Sequence, residues 1–148
     1  MRTSAPGSVL MSFLVSLGII ALISAISMPY IKQYQPNLKL NANAKLITTD
    51  LRLAQQLTIT EQITHKVVFL TDSDTYSIIK NTEPTETIKT VNLDPEITFQ
   101  TITDLTDDEV VFNYYGGVSQ SGQIILININ SKTKTINVKP SGYIQLSQ

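Results

Sequence analysis

Apolar residues are concentrated at the front of the chain, in a block that no charge interrupts. Residues 3–31 are all uncharged and lie between Arg2 and Lys32. In the densest part, residues 9–28, only Ser12, Ser16, Gly18, Ser24 and Ser27 are not apolar. At a rise of about 1.5 Å per residue, twenty helical residues span roughly 30 Å, the hydrocarbon thickness of a bilayer. The pattern predicts a membrane-spanning or filament-core helix. A secretory signal peptide competes with it, with Arg2 as its charged region and Ala25-Ile26-Ser27 as its cleavage site, although signal cores are shorter, about 7–15 residues. Small residues recur at four-residue spacing, Ser12 with Ser16 and Ala21 with Ala25. That spacing lets another helix approach closely.

Beyond this block the pattern changes twice. Pro29 and Pro36 each remove a backbone donor, which kinks or loosens a helix without having to end it. Ile47, Leu51, Ala54 and Thr58 then recur at 4-3-4 spacing, with Leu46, Leu53 and Leu57 beside them. This is the stripe of an amphipathic helix over about residues 38–63, with Asp50, Arg52, Gln55 and Gln56 expected on its wet side. After His65 the period shortens to two. Val67-Val68-Phe69-Leu70 and Tyr76-Ser77-Ile78-Ile79 flank the turn formers Thr71-Asp72-Ser73-Asp74, which predicts a hairpin. Further strand-like runs lie at residues 87–93, 97–102, 110–115, 123–129, 135–138 and 143–146, punctuated by Gly116-Gly117, Gly122, Pro140 and Gly142. Short strands at hairpin spacing argue for antiparallel pairing. The expected class is therefore α+β: a long, kinked, partly transmembrane N-terminal helix packed on an antiparallel β-sheet domain. Its segments are a transmembrane or filament-core helix over 8–29, an amphipathic second half over 30–65, and a β-domain over 66–148.

Composition narrows the chemistry. With 148 residues the chain has room for one ordinary domain. Charged residues make up 16%, against about 25% in soluble domains. The net charge of −1 argues against a generally basic nucleic-acid binder. There is no cysteine and one histidine, His65, so thiolate metal sites, disulfides and cysteine nucleophiles are excluded. Two carboxylate clusters remain, Asp72 with Asp74, and Asp104, Asp107, Asp108 and Glu109. Calcium takes 6–8 oxygen ligands, and neither cluster has the twelve-residue loop with an internal glycine that marks such a site. His65, at the helix-to-strand junction, is expected to cap or to be solvated. Gly116-Gly117 and Gly122 sit between strands with no following helix, so no phosphate cradle forms. No catalytic residue, metal site or cofactor is expected, and enzyme is the least supported class.

Charge is also unevenly placed. Residues 30–66 carry five basic and two acidic side chains, residues 67–131 two basic and ten acidic, and residues 132–148 three lysines and no acid. Subunits stacked with an offset can pair a positive stem or tail with the acidic middle of a neighbour, an effect that salt weakens. Lys132, Lys134 and Lys139 alone make a weak nucleic-acid site, because binding follows the number of phosphates neutralised.

Gly7, an uncharged segment starting directly after it, and Pro29 at the segment's end together resemble the type IV pilin-like N-terminus. The rest resembles the H-type minor pseudopilins of type II secretion and the related small minor pilins of type IV pili. The matching parts are residues 45–63 with the core Leu51-Arg52-Leu53-Ala54-Gln55-Gln56, and Val67-Val68-Phe69. They continue with Val111-Phe112 before Gly116-Gly117, Ser121-Gly122-Gln123-Ile124, and Ile136, Val138, Gly142 and Ile144. The resemblance implies a leader of residues 1–7, cut by prepilin peptidase between Gly7 and Ser8, with the methylation that goes with such processing. Pro29 is then residue 22 of a chain that begins at Ser8. Two positions depart from the family: Ser8 stands where Phe is usual, and Ser12 where the fifth mature residue is usually Glu. In the family that Glu pairs with a neighbour's N-terminal amine, and a subunit without it is typical of the filament tip.

The resemblance implies a non-enzymatic structural subunit of a type II secretion or type IV pilus filament. Ser12, Ser16, Ala21, Ala25 and Pro29 would serve helix packing and assembly. Other pilins or pseudopilins, prepilin peptidase, the inner-membrane assembly platform and, before assembly, membrane lipid are the partners it implies. It places the chain in the inner membrane as a single-pass protein with its C-terminal domain outside the cytoplasm, and later in the filament. The alternatives are a DNA-capturing minor pilin, disfavoured by the absence of basic residues after Gly142, and a membrane-anchored or secreted binding domain unrelated to filaments.

Overall fold

A computed structural model describes residues 6–147, apart from the side chains of residues 6, 30 and 33. The charged region around Arg2 and most of the leader segment lie outside the described residues. The chain forms two compact units, Met1–Gln35 and Pro36–Gln148. One helix, α1 (Pro6–Glu61), supplies all of the first unit's described structure and opens the second, so neither Pro29 nor Pro36 ends it. It stops where Gln62 turns left-handed (φ 54°), with the Gln62 N–H still donating to the Thr58 carbonyl at 3.0 Å. This is an αL helix end, two residues before the expected limit.

In the second unit, eight strands follow α1 in two four-stranded sheets. They are β1 (His65–Leu70), β2 (Thr75–Lys80), β3 (Glu86–Asn92), β4 (Ile97–Thr103), β5 (Glu109–Val111), β6 (Gly122–Asn128), β7 (Thr133–Val138) and β8 (Ile144–Ser147). The sheet orders are β3-β2-β1-β5 and β4-β6-β7-β8, and all pairs are antiparallel. The β1–β2 hairpin has the expected register, with Phe69 opposite Tyr76 and Leu70 opposite Thr75. A single sheet was the simpler expectation. Between β3 and β4 the chain leaves one sheet for the other through Asp94 and Pro95, and a proline cannot donate to a ladder. The run 110–115 also breaks earlier than its composition suggests. Strand β5 ends at Val111, because the Asn113 side-chain carbonyl accepts the N–H groups of Tyr115 and Gly117, both at 3.0 Å, and bends the chain into a turn.

One core joins α1 to both sheets. Leu40, Ala44, Ile47, Leu51 and Ala54 pack with Val67, Phe69, Tyr76, Ile78, Ile97, Phe112, Ile124, Leu126 and Ile136, all buried. The 4-3-4 stripe is the buried face: Ile47, Leu51, Ala54 and Thr58 are fully inaccessible, whereas Leu46 and Leu53 lie at its exposed margin. Phe69 meets Phe99 edge-on, with ring centroids 5.7 Å apart, so an aromatic contact also links the two sheets.

Three polar side chains of α1 lock this packing. Asp50 was expected on the wet side, but it is buried (2% exposed). It accepts the Tyr76 hydroxyl hydrogen at 2.7 Å and pairs with Lys89 Nζ at 2.7 and 2.8 Å. Burial, and then the hydrogen bond to Asp50, push the Tyr76 phenol far above its ordinary range, so it remains a donor. Gln55, also expected wet, donates through Nε2 to the carbonyls of Gly116 (2.6 Å) and Gly142 (3.1 Å), tying the β5–β6 and β7–β8 loops to the helix. Both glycines are left-handed (φ 84° and 77°), and a Cβ on Gly142 would overlap the Gly116 carbonyl oxygen. Lys39, finally, spans Asp94 (3.2 Å) and Glu96 (3.1 Å).

Ion pairs on the sheets add to these. Lys66 meets Glu109 at 2.7 Å, and Lys80 meets Glu61 at 2.6 Å. Positive stem and acidic middle are thus partly joined within one chain. The Lys80 hydrogen bond holds the Glu61 carboxyl below its ordinary 4.5, and the Glu96 backbone N–H, with Lys39, holds Asp94 below 3.8.

Two predictions follow from this packing. Asp50→Ala strands the buried Tyr76 phenol, and is expected to cost about 1–3 kcal/mol in urea unfolding in detergent. The exposed Thr49→Ala should stay within about 0.5 kcal/mol, and equal costs would contradict the role of Asp50. The second concerns acid. A carboxyl depressed in the folded state contributes stability above its unfolded value, and that stability is lost as pH falls through the depressed folded value. Stability should therefore decline below about pH 5, and more shallowly in Glu61→Gln and Asp94→Asn. An unchanged slope in both variants would contradict the pairing.

Candidate functional site

The described part of the first unit is helix, exposed throughout Gly7–Pro29. This segment has 23 residues and a mean hydropathy of 2.6 in its most apolar window, enough by length and composition to cross a membrane. Leu, Ile, Val and Phe project all round it: Leu10, Phe13, Leu14, Ile20, Leu22 and Ile26 are each about 60% exposed or more. A helix that is hydrophobic on every side needs a lipid or protein surround, not one packing face.

Within this segment the candidate assembly residues fall on two sides. Ser8, Ser12 and Ser16 lie one turn apart, and Met11 and Val15 complete a shallow groove with them. Ser12 Oγ donates to the Ser8 carbonyl at 3.0 Å, and Ser16 Oγ to the Ser12 carbonyl at 2.9 Å. These bonds return each hydroxyl to the preceding turn, so neither requires a partner from another chain. At position 12 the helix thus presents a small, internally satisfied side chain. At about 100° per residue, Ala21 and Ala25 fall roughly 180° from Ser12 and Ser16. The two small-residue pairs therefore mark opposite sides of the helix. Gly7 is exposed, and beyond its own turn of helix a Cβ there would meet nothing within 4 Å.

The second unit brings together no constellation suited to chemistry among its described residues. No group of three or more His, Asp or Glu side chains there is placed to hold a metal ion. Asp74 is a turn former (φ 50°) whose Oδ1 accepts the Phe99 N–H at 2.9 Å, joining the first hairpin to β4. Asp104, Asp107 and Asp108 all adopt positive φ in the turn around the short 3-10 helix Thr106–Asp108. Of the two expectations for His65, capping and solvation, the second does not hold, since the side chain is buried. Its Nδ1 lies 2.8 Å from the Ile63 carbonyl oxygen, which only accepts, so Nδ1 carries hydrogen; the Glu61 carboxylate stands 3.7 Å from Nε2. Its backbone N–H donates to Thr58 Oγ1 at 3.1 Å, so His65 closes the helix-to-strand junction. Sequence reasoning missed Asp50 and Gln55, which organise the second unit.

No family model and no curated protein matches the sequence. Among solved structures, the chain is similar to the minor pseudopilin EpsH of the type 2 secretion system of Vibrio cholerae. The TM-score is 0.63 at 10% identity, over 74% of this chain and 96% of that one. It is similar to the type IV minor pilin FimU of Pseudomonas aeruginosa as well, with a TM-score of 0.62 at 12% identity, over 78% of this chain and 92% of that one. A second crystal form of FimU gives 0.59 at 14% identity, over 74% and 93%. These likenesses cover most of this chain and nearly all of each neighbour. The α+β layout expected from the sequence is therefore the type IV pilin-like fold.

Proposed function

We propose that the chain is a minor pilin or pseudopilin, a structural subunit of a type II secretion or type IV pilus filament without catalytic function. The observation that carries this reading is a 23-residue apolar helix, exposed on every side, that leads in sequence into a pilin-like β-domain. Before assembly the helix would hold the chain in the inner membrane, with the β-domain outside the cytoplasm. In the filament, neighbouring helices would replace lipid. The opposed small-residue pairs favour that surround, since they allow close approach from two sides. Prepilin peptidase would cut between Gly7 and Ser8, and the assembly platform would draw the mature helix from the membrane.

Ser12 favours a place at or near the tip. A carboxylate in an apolar bundle is costly unless paired, and a tip subunit has no subunit above to supply the amine. Sheared and sedimented filaments from the native host test the reading. The chain should co-sediment with them and be lost from the pellet when the assembly platform is deleted. Ser12→Ala should leave recovery nearly unchanged, and Ser12→Glu should be neutral or harmful. Recovery independent of the platform would overturn the filament reading. A clear gain with Ser12→Glu, with the chain labelled along the filament's length, would overturn the tip placement alone.

A further inference from the structure

We propose that the loops carrying Tyr115 and Tyr143 form a docking surface for an acidic loop of a neighbouring, non-identical filament subunit, with Arg52 and Lys139 receiving its carboxylates. The proposal rests on the filament reading above. Tyr115 is 95% exposed, the most exposed large apolar side chain of the described residues, and Tyr143 is 56% exposed. Neither ring sits on a loose loop. Gly116 N–H donates to the Asn113 carbonyl at 2.9 Å, Asn113 N–H to Gly117 at 2.9 Å, and Val118 N–H to Pro140 at 3.1 Å. Gly142 N–H donates to Lys139 at 2.8 Å, and Lys139 N–H to Tyr143 at 3.0 Å. Gln55 then fastens both loops to α1. Two rings are thus held out in water on backbone that is already ordered. Such a surface binds with little further loss of conformational entropy, and tyrosine and arginine are the residues that most often anchor interfaces.

Charge identifies the partner's chemistry. Lys139 Nζ stands 5.6 Å from the Tyr143 ring centroid, and Arg52 lines one groove with Gln56 and Tyr143. Lys39, Lys66, Lys80 and Lys89 are all in ion pairs, but neither Arg52 nor Lys139 forms one among the described residues. Cations beside exposed aromatic rings complement carboxylates. This chain's own acidic turn does not suit the role. Asp104 borders the same depression as Lys139 and Pro140, so turn and patch share one face. Copies stacked along a filament meet through different faces.

Zero-length carbodiimide coupling on intact filaments, read by mass spectrometry, tests this directly, because it joins a lysine only to a carboxylate in contact. Lys139 should be linked to an Asp or Glu of a different pilin-like chain. Tyr115→Ala/Tyr143→Ala and Arg52→Glu should each cut that product about tenfold or more, while Ile129→Ala, at another exposed apolar residue, should not. Circular dichroism and trypsin resistance confirm that each variant is folded. A product formed only within this chain or with another copy of it, no product at Lys139, or a yield indifferent to the tyrosines would overturn the proposal. In each of those cases the chain still sediments with filaments; if it does not, the filament reading has failed instead.

Discussion

A helix surface with no charge and no burial inside its own chain has to find an apolar surround elsewhere. From Val9 to Met28 every large apolar side chain is more than half exposed. At about 1.5–3 kcal/mol for each such side chain, leaving them in water would cost tens of kcal/mol. That exceeds the ~5–15 kcal/mol by which a domain is stable. No adjustment within the β-domain offsets a term of that size. Lipid and a bundle of like helices both satisfy it, and a subunit that moves from one to the other keeps its helix dry throughout. Ser12 and Ser16 fit either surround, since their hydroxyls are satisfied within the helix.

The second unit solves a different problem, holding two separate sheets against one amphipathic stretch. Apolar burial along the Ile47, Leu51 and Ala54 stripe supplies the attraction, but apolar contacts are non-directional. Direction comes from the polar side chains at the margins of that stripe. Asp50 engages β2 through Tyr76 and β3 through Lys89, and Gln55 captures the β5–β6 connection between the sheets and the β7–β8 loop of the second. The second of these contacts also holds in place the loops that present Tyr115 and Tyr143. A conformational lock and a docking surface thus share the same backbone.

Much of this was legible in the residues. The uncharged block, the 4-3-4 stripe, the first hairpin and the antiparallel class follow from periodicity, because burial on one face leaves a regular trace. Polar residues leave a poorer trace. Asp50 was assigned to water by its chemistry, although by helical angle it lies about 70° from the centre of the stripe, nearer than Leu46, Leu53 or Leu57. Angle, not polarity, would have placed it. Gln55 lies as far away on the other side, about 70°, and its partners are carbonyls in distant loops, which no local pattern encodes. His65 left as poor a trace, since its partners are a carbonyl two residues earlier, that of Ile63, and the hydroxyl of Thr58, seven residues earlier. The split into two sheets depends on where Asp94 and Pro95 send the chain, a long-range outcome. In the first unit the spacing of Ser12, Ser16, Ala21 and Ala25 was legible from the sequence.

The central claim is that the apolar helix stays on the mature protein as its working part. The intact mass of membrane-extracted protein from the native host measures this most directly. The account predicts a chain that begins at Ser8 and retains the whole helix. A chain that begins at Met28 would contradict it, because the helix would then be a discarded signal and no filament core could be built from it.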